Sequence, residues 1–196
     1  LREDRRHIQD ADVYALRETL TTRMNLEMAN HPDIVRIALE VKPEEVCLVP
    51  ERRQELTTEG GLDVVGQRDE LAPVVTTLCE AGIAVSLFID PDAQQVETAA
   101  AIGAPMIELH TGAYAEHTGT ERKKELARLT DAAQRAHALG LVVNAGHGLT
   151  LENVVPILAI PHLNTLNIGH SIVCRALFVG IEQATREMLE KLQQRQ

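Results

Sequence analysis

Short apolar runs alternate along the chain with longer stretches in which apolar residues recur at helical spacing. The apolar runs predict six β-strands, over residues 24–29, 45–50, 83–90, 105–112, 141–146 and 163–170. The amphipathic stretches predict helices over 10–20, 31–41, 64–81, 92–102 and 120–139, a short helix after Thr150, and a long final helix over 171–194. Regular alternation of β and α units is typical of α/β proteins with a parallel sheet.

Two parallel architectures fit this alternation, an open doubly wound sheet and a (β/α)8 barrel. A complete barrel takes about 250 residues, whereas this chain has 196 and begins at Leu1 in the charged loop "LREDRRHI". We therefore predict a single domain over residues 1–196, a TIM barrel that lacks its first strand, first helix and second strand. As an N-terminally truncated fragment it is expected to expose the apolar edges of strands 24–29 and 163–168, to aggregate and to turn over poorly.

Composition narrows the class of partner. The net charge of −10 argues against binding to nucleic acid or to an anionic membrane surface, and no apolar run reaches the roughly 18 residues of a membrane span. Aromatic residues make up 2% of the chain, so the core is expected to consist of Leu, Ile, Val and Ala. Cys47, Cys79 and Cys174 are far apart and lie in apolar segments, which indicates reduced thiols in a cytoplasmic protein.

Polar side chains lie at the predicted carboxyl ends of the strands, where parallel α/β folds gather their functional groups. They are Glu27, Asp90, Glu108, His110, Asn144, His147, Asn167 and His170. Glu27 fits either a general base whose pKa a partly apolar pocket raises, or a carboxylate paired with an arginine. Glu108 has the same two interpretations, and it shares one side of its strand with His110 because side chains alternate.

The last two strands each run into a histidine next to glycine, in "NAGHGLT" (144–150) and "NIGHSI" (167–172). Backbone N–H groups at a glycine turn before a helix bind phosphate, and barrels often hold phosphate at these last loops. For His147 a second interpretation stays open. Gly146 and Gly148 would provide a tight turn with positive φ, and the histidine would be a polar loop residue.

Two charged loops are predicted near the same end of the sheet. One contains Arg2, Arg5, Arg6 and His7, and it fits either a clamp for phosphate or carboxylate or a solvated charge run. The other is "ERRQELTTEGG" (51–61), which is long and polar and predicts a lid hinged at its two glycines.

The residue types that are missing from these positions narrow the chemistry. No lysine lies at a strand end, which disfavours a Schiff base on the protein, and no GxGxxG, Walker-type loop or nucleophile elbow is present. Carboxylates and imidazoles at a phosphate-binding rim favour proton transfer next to a carbonyl. Two other functions stay open: a non-catalytic phosphosugar-binding barrel, and a metal-dependent isomerase or class II aldolase with Glu108, His110, His147 and His170 as ligands.

Seven motifs, in order along the whole chain, resemble the pyridoxine 5′-phosphate synthase family of vitamin B6 biosynthesis. They are "LREDRRHI", "RMNLEMA", "LVPERRQELTTEGGLDV", "VSLFID", "IELHTG", "VNAGHGLT" and "LNIGHSI". The resemblance implies a (β/α)8 barrel with additional helices, assembled as a homo-octamer. It implies a transferase-type synthase that condenses 1-deoxy-D-xylulose 5-phosphate with 3-amino-2-oxopropyl phosphate, without a metal or an organic cofactor. The products would be pyridoxine 5′-phosphate, inorganic phosphate and water.

The resemblance also implies roles for individual residues. Glu27 corresponds to the proton-accepting glutamate, His147 to the proton-donating histidine, and Glu108 to the glutamate that stabilises the transition state. The residues implied to hold the two substrates are Arg2, His7 and Thr57 for deoxyxylulose phosphate, and Gly148, Gly169 and His170 for the amino-ketone and its phosphate. This chain does not contain the family's first strand, which carries an Asn and an Asp-His pair. It also does not contain the family's Arg in the next loop or the catalytic His ahead of the position of Leu1. We therefore expect it to lack part of both substrate sites.

Overall fold

The computed structural model describes residues 1–51 and 60–193, and within them six strands form one sheet in which every pairing is parallel. The strands are β1 (Asn25–Ala29), β2 (Glu45–Val49), β3 (Ala84–Ile89), β4 (Met106–His110), β5 (Val142–Gly146) and β6 (Leu163–Asn167). They lie side by side in sequence order. A doubly wound sheet reverses its strand order part-way, so the order found here confirms the barrel-type prediction.

Helices precede, connect and follow the strands. They are α1 (Asp10–Thr19), α2 (Pro32–Val41), α3 (Arg68–Glu80), α4 (Ala93–Ala101), α5 (Gly112–Glu116), α6 (Gly119–Ala138), α7 (Val154–Ile157), α8 (His170–Val179) and α9 (Ile181–Leu192). Pro32 occupies the first turn of α2, where its missing N–H costs no hydrogen bond. None of the helices described combines the length and the apolar character that a membrane crossing requires.

The hydrophobic core lies between the sheet and the helices. The central strands are the most buried, and β4 is buried at every position. The largest apolar side chains that close the core include Met28, Ile34, Leu48, Leu71, Leu78, Leu87, Ile89, Ile107 and Leu109. Each such side chain contributes roughly 1.5–3 kcal/mol when fully buried, so aliphatic burial holds the sheet against its helices, as the composition predicts.

The sheet is curled, so that β2 and β6 approach one another. In a flat sheet, strands four places apart would lie about 19 Å from each other at the usual spacing of about 4.8 Å. Yet Cys47 of β2 and Asn167 of β6 both hydrogen-bond the same oxygen, Oε2 of Glu108 on β4, at 3.5 and 2.5 Å. Their Sγ and Nδ2 atoms are therefore no more than about 6 Å apart, the sum of these two distances. Glu108 consequently lies at the centre of a concave face.

Within the described residues, β1 and β6 each pair with a strand on one side only. Their exposed side chains are polar: Asn25, Glu27, Asn164 and Thr165. The expectation that strands 24–29 and 163–168 have an unpaired edge is therefore confirmed for the described residues. Their apolar character is not, because the apolar side chains of β1 face the core. The large exposed apolar side chains near the end of the described chain are on α8 and α9, at Val173, Leu177, Phe178, Ile181 and Leu189.

The predicted single helix over 171–194 is wrong, because Gly180 separates α8 from α9. Apolar residues continue at helical spacing on both sides of the break, and this continuity hides it in the sequence. The glycine itself was the available signal.

Three other boundaries differ from the prediction by two residues or more. The strands predicted over 105–112 and 163–170 end at His110 and Asn167, because helices α5 and α8 begin directly afterwards. The helix predicted from residue 64 begins at Arg68, after a turn.

We predict that Gly180→Ala lowers the free energy of unfolding by about 1–3 kcal/mol. Gly180 has φ 81° and ψ 156°, a conformation that is essentially restricted to glycine, although nothing lies within 4 Å of an added methyl group. Urea denaturation measures the change. Gly169→Ala is the matched control, because Gly169 has equally open surroundings and a φ of −122°. Equal losses in the two variants would contradict the strain argument.

Candidate active site

Glu108 is buried on the concave face of the sheet, with 6% of its surface exposed. Its Oε2 accepts hydrogen bonds from Nδ2 of Asn167 and from the thiol of Cys47. Burial raises the pKa of Glu108 to about 7; the charge of Glu27 adds to the rise, whereas the two hydrogen bonds oppose it. Near neutral pH the carboxyl is therefore present in both protonation states, and it can donate or accept a proton.

Cys47 serves as a neutral donor to this carboxyl. The side chain is buried on β2, and burial raises the pKa of its thiol well above the usual value, with the nearby carboxylates adding to the effect. Cys47 therefore stays protonated at neutral pH and supplies an S–H rather than a reactive thiolate.

Gly146 provides the space in which the Glu108 carboxyl lies. A methyl group at this position would be 2.4 Å from Oε1 of Glu108 and 2.8 Å from the backbone oxygen of Asn167. The predicted positive φ is found at Gly148, at 72°, and at His147, at 85°, but not at Gly146. Close approach, rather than backbone conformation, is what requires a glycine at position 146.

Glu27 lies at a cavity of about 620 Å³ that Arg2 and His7 also line. Arg2 donates a hydrogen bond to Oε1 of Glu27 at 2.9 Å, and the Glu27 side chain is 63% exposed. This arrangement matches the interpretation in which Glu27 pairs with an arginine, and it does not match an apolar pocket. The structure thus brings together three of the predicted site residues at one cavity.

His110 and His147 meet at the carboxyl ends of β4 and β5. Their rings lie edge to face with centroids 5.0 Å apart, and Phe88 packs on His110 at 4.9 Å. His110 is buried, and its Nδ1 lies 2.9 Å from Oδ1 of Asp90.

Thr111 holds the backbone around His147. Its hydroxyl lies 2.6 Å from the carbonyl oxygen of Gly146 and 2.5 Å from that of His147, and its N–H donates to Gly146. A left-handed conformation at a non-glycine residue costs about 1–3 kcal/mol and persists only where the surroundings fix it. His147 is thus held in place by its neighbours and is not simply a residue of a relaxed turn.

The two glycine loops lead into helices of different length. Gly169 caps α8, a helix of 10 residues, so this loop has the helix N-terminus predicted for anion binding. The helix after Gly148, α7, has only 4 residues and begins at Val154, so the dipole argument fails for that loop. The loops are tied together, because Ser171 Oγ donates to the carbonyl oxygen of Leu149 at 2.7 Å. The exposed His170 lines a cavity of about 300 Å³ beside them.

Two arginines of the charged loop near the amino terminus pair with neighbouring carboxylates. Arg5 contacts Asp10 at 2.6 Å, and Arg6 contacts both Asp4 and Glu51 at 2.9 Å. These contacts favour the charge-run interpretation for Arg5 and Arg6, whereas Arg2 lines the cavity. Thr57 lies outside the described residues, and so does most of the predicted lid over residues 51–61.

Comparison with known proteins identifies the family. The family described as pyridoxal phosphate biosynthesis protein PdxJ matches residues 1–194. The chain belongs to the PdxJ family. It is 56% identical over 193 residues to a pyridoxine 5′-phosphate synthase of Akkermansia muciniphila, covering 98% of this chain and 78% of that protein. For a protein of the same name from Opitutus terrae the identity is 59% over 190 residues, covering 96% and 77%.

PdxJ membership confirms the resemblance seen in the sequence. It also confirms that the chain is an enzyme of vitamin B6 biosynthesis, a pyridoxine 5′-phosphate synthase, and it contradicts the alternative of a non-catalytic binding barrel.

Solved structures support the fold alone. A tryptophan synthase alpha subunit from Campylobacter jejuni has a TM-score of 0.60 at 14% identity, covering 91% of this chain and 69% of that one. A mutant alpha subunit from Pyrococcus furiosus has a TM-score of 0.57 at 18% identity, covering 93% and 70%. These TIM-barrel-like neighbours agree with the curled parallel sheet.

The side chains of the PdxJ site do not form a metal centre in the part of the chain that the structure describes. Among residues 1–51 and 60–193, no group of three or more His, Cys, Asp or Glu side chains could hold a metal ion. The predicted ligand set of Glu108, His110, His147 and His170 therefore does not come together as the metal-dependent alternative requires.

Sequence reasoning did not assign roles to the partners of the site residues. Cys47 looks like any core thiol, and nothing local indicates its contact with a glutamate 61 residues away. The sequence predicted that Asn167 and Asp90 lie at strand ends, but it did not indicate which side chains they contact. Asn153, which accepts from the N–H of Thr150 and donates to the carbonyl oxygen of Gly148, carried no signal at all.

We predict that Glu108→Gln changes how stability depends on pH. The pKa of Glu108 is about 7 in the folded protein, against an ordinary value of 4.5. Between these values the folded state holds the extra proton, so this group makes the parent less stable as pH rises. The glutamine cannot ionise, so between pH 4.5 and 8 the variant should gain up to about 3 kcal/mol relative to the parent.

Urea denaturation at a series of pH values measures this difference. Glu190→Gln, at an exposed position of α9, is the matched control and should run parallel to the parent. A Glu108→Gln difference that does not vary with pH would contradict the elevated pKa.

Proposed function

We propose that this chain condenses 1-deoxy-D-xylulose 5-phosphate with 3-amino-2-oxopropyl phosphate to give pyridoxine 5′-phosphate, inorganic phosphate and water. The proposed reaction uses no metal or organic cofactor. The amino-ketone supplies the amine that forms the imine. The observation that carries it is the carboxyl of Glu108, whose pKa of about 7 suits acid–base work at neutral pH. The charge of Glu27 contributes to the raised pKa of Glu108, and the Glu108 carboxyl lies against Gly146, the residue before His147. Both observations support a site that Glu27, Glu108 and His147 share.

The reaction begins with an imine between the substrate amine and the deoxyxylulose ketone. Loss of phosphate, hydration, aldol-type ring closure and dehydration come next. These steps remove protons from carbon and deliver protons to departing oxygen atoms, so they need a base and an acid that act in turn.

Glu27 is the proposed proton acceptor. It is an exposed carboxylate at the cavity of about 620 Å³, where an incoming substrate can reach it. Arg2 holds its orientation through the 2.9 Å hydrogen bond. Arg2 and His7 also present cationic or hydrogen-bonding groups to the phosphate of deoxyxylulose phosphate. Thr57 joins them on the basis of its family motif alone.

Glu108 is the proposed stabiliser of the transition state. In its protonated form it can donate a hydrogen bond to an oxygen on which negative charge develops, and water is largely excluded there. The contrast between the exposed Glu27 and the buried Glu108 gives two carboxyl groups with separate tasks.

His147 is the proposed proton donor, and the loops beside it are the proposed site of the amino-ketone phosphate. Gly148, Gly169 and His170 belong to these loops, and the N-terminus of α8 favours an anion. The link between the loops through Ser171 supports a single phosphate site shared by both.

We also propose a homo-octamer in the cytoplasm. The exposed apolar side chains of α8 and α9, such as Leu177 and Phe178, support contact with another subunit. All three cysteines are free thiols, which is consistent with a reducing compartment.

The test incubates the purified protein with both substrates and EDTA and identifies the product by chromatography. We expect pyridoxine 5′-phosphate from the parent. We expect kcat to fall by about 100-fold or more in Glu27→Gln, because a positioned base typically contributes that much. Glu18→Gln, at an exposed position of α1, should retain the parental rate.

Two outcomes would count against the proposal. Parental turnover in Glu27→Gln would remove Glu27 from the mechanism. Absence of product from folded parent would contradict the reaction itself.

A further inference from the structure

One interaction between a buried histidine and a half-buried carboxylate has no role in the proposed chemistry. Asp90 comes directly after β3 and His110 ends β4, and Nδ1 of His110 lies 2.9 Å from Oδ1 of Asp90. The same carboxylate oxygen accepts a hydrogen bond from the backbone N–H of Gly61 at 3.1 Å. Removing a carboxylate and an imidazole even partly from water costs free energy unless both are well paired, so this pair requires an explanation.

The position of the proton on His110 depends on the state of Asp90. Burial alone would raise the pKa of Asp90, but the hydrogen bond and charge of His110, together with the N–H of Gly61, hold it below the ordinary value. At neutral pH Asp90 is therefore a carboxylate, which can only accept. Nδ1 of His110 must carry the hydrogen, and Nε2 remains for a second interaction.

The Nε2 side of His110 faces the His147 ring across Gly112. A methyl group on Gly112 would lie 2.5 Å from Nε2 of His110 and 3.3 Å from Cδ2 of His147. The absence of a side chain at position 112 therefore leaves open the space where the two imidazoles meet. Phe88, 4.9 Å from the His110 ring and 6.4 Å from the His147 ring, supplies an apolar neighbour to both.

We propose that Asp90 and His110 are positioning residues for His147: the Asp90 carboxylate fixes the His110 ring, and that ring orients the His147 imidazole and adjusts its proton affinity. A carboxylate that orients a histidine, which in turn acts on a third group, is a recurrent catalytic arrangement. The inference rests on the proposed role of His147 as proton donor.

The charged and titratable groups around His110 come from four elements. Asp90 faces it from the end of β3, Glu108 shares its strand, His147 lies in the loop after β5, and Arg128 of α6 acts on Asp90. Removing the charge of Asp90 therefore removes the one carboxylate that contacts His110 directly in the described structure.

The kinetic test is Asp90→Asn, which keeps the size of the side chain and removes its charge. We expect kcat to fall by about tenfold or more, with KM for both substrates unchanged. The limb of the pH profile that reports histidine should move to lower pH, because an imidazolium loses a nearby negative charge. Asp92→Asn is the matched control: Asp92 caps α4 through the N–H groups of Gln94 and Gln95, and asparagine caps as well.

A second variant separates positioning from simple anchoring. His110→Asn retains an N–H donor for Asp90 but has nothing in place of Nε2. If His110 only anchors Asp90 and the Gly61 segment, His110→Asn retains the parental kcat, and the proposal is overturned. The proposal predicts a loss similar to that of Asp90→Asn, with the double variant no slower than either single variant.

A measurement without substrate distinguishes failure of this inference from failure of the proposed function. Proton NMR tracks the Hε1 signal of His147 through a pH titration in the parent, in Asp90→Asn and in Asp92→Asn. The expected result is a titration midpoint at lower pH in Asp90→Asn alone. An unchanged midpoint in Asp90→Asn overturns the inference, even where the parent forms product. A shifted midpoint with no product from the parent would support the coupling and reject the reaction.

Discussion

Two hydrogen bonds to a single buried oxygen connect three strands of this protein. Oε2 of Glu108 on β4 accepts from Cys47 on β2 and from Asn167 on β6. Both bonds form only if the sheet is strongly curled, since the outer two of these strands would otherwise be about 19 Å apart. The curl places the carboxyl on the concave face, close to the ends of β5 and β6. The architecture and the candidate site therefore depend on the same contact.

The same burial produces the chemistry of the site. Taking a carboxyl out of water costs free energy that its hydrogen bonds offset only in part, and the remainder is expressed as a pKa of about 7. Glu27 has the same side chain in a different setting, exposed at the sheet edge and paired with Arg2. One residue type thus has a buried carboxyl with a raised pKa at one position and an exposed side chain paired with an arginine at the other.

The fold was largely predictable from the sequence because alternating apolar runs and amphipathic stretches depend on local periodicity. Strand β1 was predicted within one residue of its bounds, Asn25–Ala29. The break at Gly180 was not, because the apolar pattern continues across it. The chain length favoured a barrel over a doubly wound sheet, and the strand order in the structure confirmed that choice.

The site was predictable as a set of residues but not as an arrangement. Glu27 in "MNLEMA" and Glu108 in "IELHTG" look alike in sequence, since both lie in apolar runs. They differ in burial because β1 is an edge strand in the described structure and β4 is central. The pairing of His110 with Asp90 spans 20 residues, and the contact of Cys47 with Glu108 spans 61. Such contacts arise from the topology, and no local pattern indicates them.

Burial holds Glu108 neutral until about pH 7. Carbon-13 NMR of the side-chain carboxyl groups in glutamate-labelled protein tests it directly, with the Glu108 signal assigned by its loss in the glutamine variant. We expect a titration midpoint near 7 for this signal. A midpoint near the ordinary value of 4.5 would contradict it.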